Sequence, residues 1–129
     1  MQEKKITSFM DLNTWKEAHT LVLMIYRVTR LFPKTELFGL ISQMRRAAVS
    51  VTSNIAEGFC RESYRGKIQF YAISRGSLTE LQDQIIIARD VDYLVQHQYD
   101  QLMNHSILCH RLLNGLIKKT KYFSQHPKF

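Results

Sequence analysis

The chain is short of the residues that fix structure covalently or break it: two cysteines, two prolines and five glycines in 129 residues. Cys60 and Cys109 stand far apart with no neighbouring thiol. That spacing excludes a disulfide framework and a thiolate zinc site, and it fits a reducing, cytoplasmic compartment. No long uncharged apolar run offers a membrane span, and Met1–Met10 lacks the apolar stretch of an export signal before Asp11. No glycine-rich phosphate loop is present, and no Glu-x-x-His, the motif a carboxylate-bridged di-metal bundle uses. The five histidines are scattered, and His105 and His110 lie five positions apart, a poor metal platform. Glu80 with Asp83, and Cys109 beside His110, lack the further groups that catalysis needs. The reading is therefore of a protein without metal, cofactor or catalytic residues. Acidic residues are few as well, 11 against 18 Lys and Arg, for a net charge of +7. Beyond Gln101 there are none, while Arg111, Lys118, Lys119, Lys121 and Lys128 follow.

What the chain has in quantity is hydrophobic spacing in threes and fours. Trp15, Ala18, Val22, Ile25, Thr29 and Phe32 describe one face of a first helix that opens near Asp11 and stops at Pro33. Leu37 begins a second, with Ile41, Met44, Ala48, Val51 and Ile55 inside and Gly58 placed as a left-handed C-terminal cap. Ser63 caps a third, running to about Val91 on Phe70 or Tyr71, Ser74, Leu78, Leu81, Ile85 and Ala88. A turn over Asp90–Gln98 leads to a fourth, on Tyr99, Leu102, Ser106, Cys109, Leu113 and Leu116, ending near Lys121. The β-branched run Ile85–Ile87 keeps the helical register, which argues against a strand. Four amphipathic helices with short connections predict an all-α, antiparallel up-down-up-down four-helix bundle, one domain over residues 1–129 with short tails.

Two surfaces stand out from that core. On the outside of the second helix Arg46, Ser50, Ser53 and Glu57 form a line. With Asn54, Arg75 and Gly76 they make the candidate assembly interface, small residues permitting close approach of another helix. Leu21, Tyr26, Val28, Phe38 and Leu40 widen the apolar faces, serving either the core or an oligomer surface. Arg45, Arg46, Arg61, Arg65 and Lys67 are placed around one end of the bundle, with Lys118, Lys119 and Lys121 as a second region. Together these eight are the candidate nucleic-acid or anion-binding residues, with Tyr64, Tyr71 and Tyr122 available for stacking. Arg45 and Arg46 diverge by about 100° around the helix, so they cannot serve one point. The partners expected are further copies of the chain, RNA or DNA, or an acidic protein, and no membrane.

The set Trp15–Lys16, Ile25–Tyr26, Phe32–Pro33, Phe38–Gly39–Leu40, Gln43–Met44–Arg45–Arg46–Ala47–Ala48, Asn54–Ile55–Ala56–Glu57–Gly58 and Arg75–Gly76–Ser77–Leu78 with Glu80–Leu81 resembles the bacterial 23S rRNA intervening-sequence proteins, also called S23 ribosomal protein-like. The likeness spans about Trp15 to Leu94. It implies a four-helix bundle and, as in related proteins, a ring-like homopentamer. Similar basic pentamers bind nucleic acid and assist a reverse transcriptase. The resemblance also implies that Trp15, Phe38 and Ile55 lie toward the core or helix ends, while Arg45, Arg46, Asn54, Glu57 and Arg75 serve polar networks or interfaces.

Overall fold

The computed structural model describes residues 5–127, so Lys128 lies outside the described residues. Four helices follow in order: α1 Asn13–Thr29, α2 Ser42–Cys60, α3 Tyr64–Asp90 and α4 Gln96–Gln125, with no strand among the described residues. Their directions can be read from hydrogen bonds. Between α2 and α3 the pairs Arg46–Glu80, Ser50–Ser77 and Val51–Ser74 rise in one helix as they fall in the other. Thr14–Leu112 and Glu17–His105 do the same for α1 and α4, as do Arg75–Asn114 and Gln82–Ser106 for α3 and α4. Each helix thus runs against its neighbours. The ring closes where α4 returns to α1, the antiparallel up-down-up-down bundle that the spacing predicts.

The predicted core positions converge. Ala18, Val22, Ile25, Phe32, Met44, Val51, Ile55, Leu78, Leu81, Ile85, Ala88, Leu102, Cys109 and Leu113 are all buried. Tyr71, not Phe70, is the inward aromatic of α3, and Ile117 rather than Leu116 closes the α4 stripe. Ser74 and Ser106 are fully buried because each hydroxyl donates to a backbone carbonyl, Val51 and Met103 respectively.

The helix ends depart from expectation. Before α1, a 3-10 turn over Phe9–Asp11 carries a capping box, Asp11 accepting from the amides of Thr7 and Ser8. Ser63 caps α3 as predicted, accepting from the Gly66 amide at 3.0 Å. α2 does not start at Leu37: a 3-10 turn over Lys34–Glu36 and a single π turn over Leu37–Ile41 come first, with Gly39 off helical geometry at φ −111° and ψ −116°. The Glu36 carboxylate stabilises this entry, accepting from the Leu40 amide and from Tyr93 Oη at 2.9 Å. That second bond ties the α1–α2 connection to the α3–α4 connection. Gly58 is no left-handed cap, since no glycine has positive φ and α2 continues through it to Cys60. Its role is contact, because an added Cβ would stand 2.7 Å from Tyr71 Cε1 and 3.2 Å from the Lys67 carbonyl.

Candidate assembly and nucleic-acid surfaces

Arg45 and Arg46 leave α2 in different directions, as their angular separation requires. Arg45 Nε donates to Thr29 Oγ1 at 2.9 Å while its guanidinium lies over the Tyr26 ring, joining α2 to α1. Arg46 binds Gln43 in its own turn and pairs with Glu80, joining α2 to α3. Both arginines work between helices of one chain. They do not share an end with Arg61, Arg65 and Lys67: fifteen residues of continuous helix separate Arg46 from Arg61, about 22 Å. The expected single cluster is two.

The second cluster gains what the first loses. Extending the α3–α4 register set by Arg75–Asn114 and Gln82–Ser106 places Lys67 level with Lys121, and Tyr64 level with the last turn of α4. Arg61, Arg65 and Lys67 therefore share one end of the bundle with Lys118, Lys119 and Lys121. Their freedom differs. Lys67 Nζ donates to the Phe59 carbonyl at 2.6 Å, satisfying one of the last acceptors of α2. Desolvation lowers the Lys67 pKa. Arg61 bonds Glu57 at 2.7 Å and covers Phe70, and Lys119 lies over Phe123. Arg65, Lys118 and Lys121 are exposed, their side-chain cations without a hydrogen-bond or ion-pair partner among the described residues. Tyr64 and Tyr122 are exposed beside them, whereas Tyr71 is buried and cannot stack on a ligand.

On the candidate assembly line, half-buried Ser50 meets Ser77 of α3 at 2.8 Å and receives the Asn54 side-chain amide at 3.1 Å. These residues, with Arg46, build the seam between α2 and α3 of the same chain. Arg75 does likewise for α3 and α4, donating to Asn114 at 3.0 Å, and Asn114 in turn meets His110. Ser53, Glu57 and Gly76 are exposed. No atom lies within 4 Å of a Cβ built on Gly76, so nothing within the chain requires a glycine there. For an isolated chain, Gly76→Ala is expected to stabilise by about 0.5–1 kcal/mol through helix propensity. A lower melting temperature, or a changed mass by light scattering, would place Gly76 in a subunit contact.

The spacing did not reveal an apolar tip at the α1–α2 connection. Phe38, expected toward the core or a helix end, is 92% exposed, with Leu31 at 78% and Leu37 at 50%. Phe38 lies in the kinked turn before α2, beside Gly39, where the backbone leaves helical geometry, and so stands apart from the stripe that begins at Ile41. A groove of about 620 Å³ between α1 and α4 is lined by Met24, Val28, Leu102 and Leu108 with Arg27 and His105.

No group of three or more His, Cys, Asp or Glu among the described residues is placed to hold a metal ion. No helix among them is long and apolar enough to cross a membrane. The family profile described as 23S rRNA-intervening sequence protein matches residues 10–115. A crystal structure of a protein of unknown function from the S23 ribosomal protein family of Bacteroides thetaiotaomicron superposes with a TM-score of 0.75 at 21% identity, covering 81% of this chain and 95% of that one. At that identity the likeness concerns the fold. No curated protein matches the sequence.

Proposed function

From the premise that the chain belongs to the 23S rRNA-intervening sequence protein family, we propose that it is a non-catalytic, self-assembling accessory protein that binds the phosphate backbone of nucleic acid. The observation that carries this reading is the cationic end of the bundle, where Arg65, Lys118 and Lys121 are exposed and unpaired among the described residues. Phosphate contacts of this kind release counterions, so affinity falls as salt rises. Arg45, Arg46 and Lys67 are structural in this scheme. Their substitution acts through the fold. The exposed Phe38 and Leu31 support assembly with further copies, since an apolar tip this open is normally covered in the working form. A homopentamer is the state implied by the family resemblance. Two free thiols, one of them exposed, support a reducing cytoplasmic setting.

The test is fluorescence anisotropy with a mixed-sequence RNA and the matching DNA over a series of salt concentrations. The wild type is expected to bind with log affinity falling linearly in log salt. Arg65→Glu and Lys118→Glu should each flatten that slope by about one while leaving the melting temperature within experimental scatter. Light scattering on the same samples should give a multiple of 15.2 kDa. A monodisperse monomer removes the assembly half of the proposal. Failure to bind either polymer at low salt removes the nucleic-acid half, and capture of an acidic protein by the same surface would replace it.

A further inference from the structure

The outward face of α4 sets two cations, a glycine and a tyrosine in one line. At 100° per residue Arg111, Gly115, Lys118 and Tyr122 fall within about 60° of one another, opposite the buried Cys109, Leu113 and Thr120. All four are exposed, and the sequence contains no acidic residue after Asp100 to neutralise them. Neither the Arg111 guanidinium nor the Lys118 ammonium has a hydrogen-bond or ion-pair partner among the described residues. Gly115 adds a second kind of observation. It sits mid-helix, where glycine is unfavourable, yet no atom lies within 4 Å of a Cβ built there, so packing within the chain does not call for it. Its effect is to leave bare backbone between two cations. At the end of this line Tyr122 is 56% exposed, its ring held by a stack on His126 at 4.3 Å and 16°.

We propose that this face is a track for single-stranded nucleic acid, with phosphates on Arg111 and Lys118, the strand lying close over Gly115, and a base stacked on Tyr122. The inference rests on the nucleic-acid reading above and narrows it to a class of polymer. Duplexes keep their bases stacked inside and offer only phosphates, for which an exposed tyrosine adds little. A single strand presents both groups that the line is made for. Arg111 and Lys118 stand about 10 Å apart along the axis and Lys118 and Tyr122 about 6 Å, a reach suited to a few consecutive nucleotides.

The probes are labelled oligouridylate and oligothymidylate of about a dozen nucleotides, within the usual span of such sites, and an RNA hairpin duplex of similar charge, all used with the full chain. Single strands are expected to bind at least tenfold tighter than the hairpin, and the two oligomers show whether RNA or DNA is preferred. Tyr122→Ala should weaken single-strand binding roughly 5- to 100-fold, the range that loss of one stacked base gives, and leave hairpin binding unchanged. Tyr122→Phe should restore it. Gly115→Leu should also weaken single-strand binding, whereas Gly115→Ala should keep it within about twofold and raise the melting temperature. Equal or tighter hairpin binding, or an inert Tyr122→Ala in a protein still sensitive to Lys118→Glu, overturns the track and leaves the broader reading standing. No binding to any probe overturns both. A change of mass on Gly115→Leu assigns the face to a contact between copies instead.

Discussion

Raising the pH from 8 to 12 is expected to lower the stability of the protein by on the order of 5 kcal/mol, a loss carried by two buried acids. Cys109 is fully buried, and desolvation, with the Glu17 charge nearby, pushes its thiol from 9.0 to about 12. Tyr71 is pushed from 10.0 to about 12, mainly by desolvation and secondarily by Cys60. Both folded-state values are raised, so the folded chain holds its protons at a pH where the unfolded chain has released them. The stability they contribute is complete below about pH 9 and is lost as the pH rises through 12. Each pKa unit corresponds to about 1.4 kcal/mol. The sum is comparable to the whole stability of many domains of this size. Chemical denaturation repeated at intervals of pH should show the fall, and Cys109→Ala should flatten it by more than half. A slope unchanged in Cys109→Ala would mean that the thiol ionises without unfolding the bundle.

Gly58→Ala destabilises the protein by about 1–2 kcal/mol, although alanine is the better helix former. The propensity gain is at most about 1 kcal/mol. Against it stands a methyl group 2.7 Å from Tyr71 Cε1 and 2.8 Å from Cδ1, with the Lys67 carbonyl at 3.2 Å. The ring cannot swing away, because Tyr71 is only 2% exposed, and overpacking of this kind costs about 1–3 kcal/mol. Reducing the ring relieves the clash, so Gly58→Ala combined with Tyr71→Leu should lose less than the two single changes added together. Should Gly58→Ala melt at or above the wild-type temperature, the close approach of α2 and α3 is softer than the geometry indicates. The opposite sign expected at Gly76 makes the pair a strong internal control.

The helices and their inward faces were legible in the sequence because burial follows a period that can be counted. Ala18 to Phe32 and Leu78 to Ala88 show it most clearly. The divergence of Arg45 from Arg46 was legible for the same reason, and the two side chains reach α1 and α3 respectively. Gly58 misled because a glycine near a helix end signals a left-handed cap by statistics alone. Its actual cause, a tyrosine ring from the next helix, is a contact between residues thirteen positions apart. The kinked turn at Leu37–Ile41 was hidden because a break in helical geometry at Gly39 changes neither composition nor the later stripe of Met44, Ala48, Val51 and Ile55. The grouping of cations failed on distance along α2. Joining Lys67 to Lys121 needed the register between α3 and α4, which only interhelical bonds such as Arg75–Asn114 reveal. The Glu36–Tyr93 tie went unseen because its partners are 57 residues apart.

The closing of α1 against α4 has a consequence for how the protein is made. Thr14 finds its acceptor on Leu112, 98 residues later, and His105 meets the Glu17 carbonyl across 88. During synthesis α1, α2 and α3 leave the ribosome and can pair in sequence, while the side of α1 facing α4 stays uncovered until α4 emerges. A message that ends early therefore yields a three-helix product with an open apolar flank, a ready target for chaperones and proteases. Closure of the bundle thus waits on its fourth helix.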